Sequence, residues 1–109
     1  MAYSGGITDV KSSTVTSSGR IETYTGSTSY IGRARIKAIN ANPSGAGATV
    51  KLYNGSSAVA ASIVLDVKFG SAAGVGGFDM YIPQNGILCP DGIYAALSSC
   101  DYCTIVWQS

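Results

Sequence analysis

The chain has 109 residues, of which 46% are hydrophobic and 12% charged, with a formal net charge of +1. This length suits one domain with its own core, and the hydrophobic content excludes a highly charged disordered chain. The near-neutral charge gives no global field to recruit nucleic acid or an anionic membrane, and no apolar run reaches the roughly 18 residues of a membrane span.

The first 29 residues are dominated by Ser, Thr and Gly, with isolated apolar side chains. This composition predicts an N-terminal arm or a run of loops and short strands, and the low hydrophobicity indicates that part of the segment is mobile or ordered only against a partner. The segment has no basic stretch followed by an apolar run, so we expect no secretory signal, synthesis in a cytoplasm and reduced thiols.

From residue 30 onward the apolar pattern has a period of two, which is typical of strands with one wet and one buried face. In "GRARIKA" three cations alternate with three apolar residues. The cations are Arg33, Arg35 and Lys37, and the apolar residues are Ala34, Ile36 and Ala38. The cations are open to three interpretations: a solvated face that blocks aggregation, a dock for an acidic protein surface, or a phosphate or polysaccharide contact.

Five further strands are predicted at residues 49–53, 60–69, 78–82, 93–97 and 103–108. Asn54-Gly55 is a hairpin signal, and the sequences PQNG and PDG are turns, the second of which is expected to pair GILC with IYAAL. The strand at 60–69 should place Ile63, Leu65, Val67 and Phe69 on one face, the inner one, with Asp66 and Lys68 on the other. The pattern predicts an all-β domain over residues 30–109, an antiparallel β-sandwich or jelly-roll of about six to eight short strands.

The side chains of common catalytic sites are missing or scattered. The chain has no histidine, which removes Ser-His-Asp and Cys-His arrangements. Nothing pairs two of the six carboxylates locally. The cysteines, Cys89, Cys100 and Cys103, are too few for a structural zinc site and are interpreted as small apolar core residues. We therefore expect no enzyme, no catalytic residue, no metal and no cofactor.

The tyrosines indicate a binding surface. Tyr53, Tyr81 and Tyr94 fall on the face opposite the predicted core, where a ring buries area while its hydroxyl stays solvated. Such a set is typical of surfaces that bind protein or sugar. The candidate interface combines these tyrosines with the three cations and the arm around Tyr3 and Ile7.

The segments "GRARIKAI", "ATVKLYNG", "YIPQNGILCPDGIYAAL" and "CTIVWQS", which span residues 30–109, resemble small virion proteins of tailed phages, particularly marine and cyanobacterial ones. The resemblance implies a β-sandwich in the virion, either a capsid decoration or cement protein or a tail or adaptor component. It implies symmetric copies, with a trimer as the favoured homo-oligomer, bound to the major capsid protein or other virion subunits. It implies no activity. A carbohydrate-binding adhesion module on the particle surface is the alternative function.

Overall fold

The computed structural model describes residues 10–69 and 78–109, and these ranges contain nine β-strands and a one-turn 3-10 helix at Ala60–Ser62. The strands are β1 Val10–Val15, β2 Gly19–Arg20, β3 Ala34–Pro43, β4 Thr49–Asn54, β5 Ile63–Lys68, β6 Phe78–Tyr81, β7 Ile87–Cys89, β8 Ile93–Ser98 and β9 Cys100–Gln108. No helix in these ranges is long and apolar enough to cross a membrane.

The strands form two antiparallel sheets, which confirms the predicted all-β sandwich. The front sheet has the order β1-β9-β3-β6, with β7 on the same edge of β3 as β6, and the back sheet has the order β2-β8-β4-β5. The pairs β1–β9, β2–β8, β3–β6 and β4–β5 are nested in sequence, like one long two-stranded ribbon. A nested ribbon rolled into two facing sheets is the jelly-roll arrangement.

The core lies between the sheets and is built by the alternation predicted for the last two strands. Cys103, Ile105 and Trp107 of β9 are at most 4% exposed, and Ile93 and Ala95 of β8 are fully buried. Because successive strand residues point to opposite faces, every second side chain of each strand enters this core.

Two irregularities in strand pairing reverse the predicted alternation. Ile36 pairs with Trp107 but Ala38 pairs with Val106, so Lys37 is an extra residue in β3. Ala38 is therefore on the outer face, contrary to prediction, and Ile39 takes the inner position. A second shift in register occurs in the pairing of β4 with β5. Leu52 pairs with Leu65 but Tyr53 pairs with Ile63, so β5 contains one extra residue. This shift places Ile63 opposite Tyr53, and Ile63 is 39% exposed where an inward side chain was expected.

Residues 10–29, which the sequence assigns to an N-terminal arm or to loops and short strands, contain β1 and β2 and are built into the sandwich. All six residues of β1 pair with β9, and Ile21 is fully buried. Ser13 occupies an inner position of β1, where its hydroxyl donates to the Glu22 carbonyl and accepts from the Trp107 indole nitrogen. The low hydrophobicity of this segment thus reflects an edge strand that buries a bonded hydroxyl. The predicted interface residues Tyr3 and Ile7 lie outside the described residues.

Two of the predicted turns are not the tight hairpins that the sequence indicates. β4 and β5 pair as predicted, but residues 55–62 separate them, so Asn54-Gly55 is not a two-residue hairpin. The turn at Pro90-Asp91-Gly92 does not pair β7 with β8, because β7 belongs to the front sheet and β8 to the back sheet. Gly92 has a φ of +113°, and a Cβ there would lie 2.8 Å from the Ile31 carbonyl oxygen. The turn is therefore a crossover between sheets that requires glycine.

Candidate docking surface

The three tyrosines predicted to share one face lie on two. Tyr81 belongs to β6 in the front sheet, whereas Tyr53 and Tyr94 belong to β4 and β8 in the back sheet. The prediction of a single tyrosine face is therefore wrong. Its physical reason is that alternation along a strand says nothing about which sheet the strand joins.

Tyr53 and Tyr94 form a packed pair within the back sheet. They are register partners, and their rings meet edge to face with centroids 6.3 Å apart. Tyr53 is only 8% exposed although it lies on an outer face. This geometry is a stabilising cross-strand aromatic contact, and it leaves little of Tyr53 for a partner.

The three predicted cations do not form one row. Arg33 is exposed just before β3, and Arg35 is half-buried on the outer face of the front sheet. Lys37 occupies the bulge, where its ammonium donates to the Gln84 carbonyl at 2.9 Å. Lys37 therefore has a structural partner in the turn between β6 and β7, and Arg35 alone of the three is a β3 side chain on the open outer face.

The five strands of the front sheet align side chains in two rows on its outer face, and several of these side chains are apolar. Strand register aligns one row of Val10, Gln108, Arg35 and Leu88, and a second row of Ser12, Val106, Ala38 and Tyr81. We call Val10, Arg35, Tyr81, Leu88 and Val106 the docking face. Val10 is 44% exposed, Leu88 37% and Tyr81 81%. The two rows thus present apolar area to solvent around one guanidinium.

Beyond these rows the same outer face is closed by polar pairs. Asn40 donates to the Asp79 carboxylate, and Asn42 donates to Asp101 at 2.9 Å. The hydroxyls of Thr14 and Thr104 lie 2.7 Å apart. Because these groups already hydrogen-bond one another, the polar part of the face marks the limit of the docking face.

Sequence reasoning missed Val10, Leu88 and Val106, although two of them had a detectable signal. Leu88 is the middle residue of the apolar run Ile87–Cys89, and Val106 lies between Ile105 and Trp107. In a strand the middle residue of an apolar triplet must face opposite to its neighbours. A triplet whose flanking residues are buried therefore predicts one outward apolar side chain.

The cysteines lie as the sequence predicted for core residues. Cys89 and Cys103 are fully buried, and burial raises the pKa of the Cys89 thiol to about 11 and that of Cys103 to about 12. Cys100 is half-buried, its thiol directed at the Thr49 carbonyl, and its pKa is also raised, by burial and then by Asp101. All three thiols are protonated at neutral pH, the unreactive form. Within residues 10–69 and 78–109, no three His, Cys, Asp or Glu side chains form a metal-binding group.

Comparison with family models, with curated proteins and with solved structures gives no match to this chain. The description of the fold rests on the strand pairing within this chain. The candidate function rests on the side chains that the pairing brings to the surface.

Proposed function

We propose that the protein is a structural component of a phage virion, a capsid decoration or cement protein that docks on the head and stabilises it through protein contacts. The observation that carries the proposal is the docking face, where apolar side chains of β1, β6, β7 and β9 share the outer face of the front sheet with Arg35, and where Val10, Tyr81 and Leu88 are exposed. The resemblance of the strand-and-turn pattern of residues 30–109 to small virion proteins of tailed phages supports the same proposal.

The docking face has the composition of a protein interface. Tyr and Arg are enriched among the residues that dominate binding energy, and such residues work best inside a ring that excludes water. Tyr81, 81% exposed, is the anchor with the most area to lose on binding. Val10, Leu88 and Val106 supply the surrounding apolar area.

Arg35 defines the chemistry of the partner. A guanidinium that loses water in an interface requires a carboxylate or several carbonyl oxygens opposite it. We therefore assign as partner a major capsid protein surface with an apolar patch that receives Tyr81 and a carboxylate that receives Arg35. Each bound copy would stabilise the folded coat by mass action, with no chemical step.

The jelly-roll fold is compatible with this role. Jelly-rolls occur in viral coat domains and in lectins alike, so the fold does not specify the function, and the proposal depends on the residues of the docking face. Symmetric copies, with a trimer favoured, remain part of the proposal. A tail or adaptor position is its nearest variant, and imaging of particles labelled on this protein distinguishes head from tail.

The test is rebinding of purified protein to particles that lack it. We expect Tyr81→Ala and Leu88→Ala to weaken occupancy at least about tenfold, which corresponds to about 1.4 kcal/mol, and to remove the gain in heat and osmotic resistance. Tyr24→Ala is the matched control, because Tyr24 is 64% exposed and lies outside the docking face. Wild-type occupancy of both docking-face variants, or unchanged resistance of particles without the protein, would contradict the proposal.

A further inference from the structure

A polar cleft opens at the edge of the sandwich where β1 turns into β2. It has a volume of about 410 Å³ and is lined by residues 14–20 together with Glu22, Thr25 and Tyr30. This volume falls within the roughly 300–1,000 Å³ of small-molecule clefts. The cleft contains none of the docking-face residues, so an occupant would not compete directly for that face.

The walls of the cleft are fixed by internal hydrogen bonds. The Thr14 backbone N–H donates to the Thr25 hydroxyl at 2.9 Å, which ties the 22–30 loop to β1. The Glu22 carbonyl accepts from the buried Ser13 hydroxyl at 2.7 Å, and its carboxylate accepts from the Gly26 N–H at 3.2 Å. A site held in this way loses little entropy when a ligand binds.

Arg20 and Tyr30 form one side of the cleft. The guanidinium carbon lies 5.1 Å from the centroid of the Tyr30 ring, a cation–π geometry that orients both groups. The Arg20 Nε is buried and has no hydrogen-bond partner among the described residues. A buried donor without a partner costs free energy, and because Arg20 lines the cleft, a shift of its side chain toward a ligand acceptor would remove that cost.

The lining selects the class of ligand. Its hydroxyls come from Thr and Ser of the β1–β2 segment and from Thr25, and its charged groups are one guanidinium and one carboxylate. An apolar ligand would desolvate both charges without replacing their hydrogen bonds. A phosphate or acidic sugar would meet the Glu22 carboxylate, a like charge. A neutral polyol can donate hydroxyls to Glu22 and accept from Arg20 at the same time.

Tyr30 adds the element that distinguishes a sugar ring from a simple polyol. Its side chain is 51% exposed while the ring contacts Arg20, so aromatic area remains for a ligand. An amphipathic ring of this kind buries apolar area while its hydroxyl stays in water. We propose that this cleft binds a neutral saccharide, with Glu22 and Arg20 bonding its hydroxyls and Tyr30 packing on its C–H face.

The experiment measures binding of the full chain to oligosaccharides by isothermal titration and by NMR shifts. The probes are neutral glucans, galactans and mannans, with size-matched uronate and sulfated oligosaccharides and inorganic phosphate as the anionic arms. We expect a neutral oligosaccharide to bind with a Kd below about 10 mM and to be preferred over every anionic probe. No neutral ligand in that range, or preference for an anionic probe, would overturn the assignment.

Variants locate the binding in the cleft. Glu22→Gln keeps an oxygen that can accept from the Gly26 N–H but removes the charge, and we expect it to weaken the saccharide at least about tenfold. Tyr30→Ala should have a similar effect. If Tyr30→Ala unfolds the loop, Arg20→Lys tests the same side of the cleft. Lysine keeps the positive charge but lacks the planar guanidinium with its several donors, so weaker saccharide binding is again the expected result. Asp66→Asn on the back sheet is the control and should bind as wild type. Equal affinity of wild type and Glu22→Gln would exclude this cleft.

Discussion

The outer faces of the two sheets use similar residues for different purposes. On the back sheet Tyr53 is 8% exposed and packs on Tyr94, so the aromatic surface is consumed inside the fold. On the front sheet Tyr81 is 81% exposed, and Leu88 and Val10 on the same outer face are also exposed. An outward tyrosine therefore indicates an interface only when its neighbours leave it uncovered.

The strand pairing explains this difference. In the back sheet a bulge directs Ile63 toward Tyr53, and Tyr94 lies on its other side, so two strands flank the ring. In the front sheet Tyr81 ends the short edge strand β6, and its register partner is Ala38, too small to cover a ring. An edge strand with a small neighbour leaves a large side chain in solvent.

The largest expected effect comes from Gly86, which holds the turn between β6 and β7 against β3. It has a φ of +77°, and a Cβ there would lie 2.3 Å from the Ile36 carbonyl oxygen. Gly86→Ala should lower the free energy of unfolding by about 3 kcal/mol or more, because backbone must move. Urea denaturation measures the loss, and reduced rebinding to particles would show that the docking face is displaced.

Gly47→Ala is the matched control for this substitution. Gly47 has a φ of +72° and nothing within 4 Å of an added Cβ. Only the left-handed backbone is penalised there, at about 1–2 kcal/mol. Equal losses in the two variants would mean that the contact with β3 has no energetic weight.

A pair of tyrosine substitutions tests the comparison directly. Tyr53→Ala should cost about 2–3 kcal/mol of unfolding free energy because it removes a nearly buried ring and its contact with Tyr94. Tyr81→Ala should change stability by no more than about 0.5 kcal/mol. Thermal and denaturant unfolding measure both values. Tyr53→Phe, which keeps the ring, is expected to stay close to wild type, and a larger loss for Tyr81→Ala than for Tyr53→Ala would reverse our assignment.

Alkaline pH should weaken the front sheet through its two buried thiols. Folding raises the pKa of Cys89 to about 11 and of Cys103 to about 12 from 9.0. Above pH 9.0 the unfolded chain releases these protons and the folded chain retains them, so stability present below pH 9.0 is lost as pH rises toward those values. The slope is at most about 1.4 kcal/mol per pH unit for each thiol.

Denaturation at several pH values isolates this contribution. Cys103→Ala should reduce stability at neutral pH but flatten the alkaline slope, because the thiol with the most strongly raised pKa is gone. Cys100→Ala is the control, since that thiol is only half-buried, and it should flatten the slope less. Identical slopes in wild type and Cys103→Ala would refute the linkage.

The smallest expected effect lies in the same turn that carries Gly86. Gln84 has a φ of +58°, a conformation that is strained for any residue with a Cβ. Gln84→Gly should raise the unfolding free energy by about 0.5 kcal/mol and keep the backbone carbonyl that Lys37 bonds. Asn85→Gly, at a position without positive φ, should instead lower the unfolding free energy by about 0.5–1 kcal/mol. Stabilisation by both substitutions would show that the gain does not come from relieving backbone strain at Gln84.

Much of the fold follows from local pattern. The inward positions Ile93, Ala95, Cys103, Ile105 and Trp107 were predictable because each strand alternates without interruption there. The PQNG turn was predictable from Pro and Gly, which favour the backbone angles that turns require. The burial of Cys89 and Cys103 followed from the same alternation.

The docking face was predictable only in part, for a reason seen in Ala38. The extra residue at Lys37 reverses which later residues of β3 point inward, and nothing in "RARIKAI" signals it. Arg35 and Tyr81 were candidates from the sequence, but their common face was not. Tyr53 was a candidate of equal standing, and only its exposure of 8% separates it from Tyr81.

Local sequence pattern accounts for the alternation of the strands, for the positions of most turns and for thiols that suit a core. The sheet that each strand joins follows from tertiary pairing, and this pairing brings Val10, Arg35, Tyr81, Leu88 and Val106 to one surface. These two kinds of feature depend on contacts at different separations along the sequence. Alternation and turns depend on neighbouring residues, whereas sheet membership depends on hydrogen bonds between segments as far apart as Val10 and Gln108.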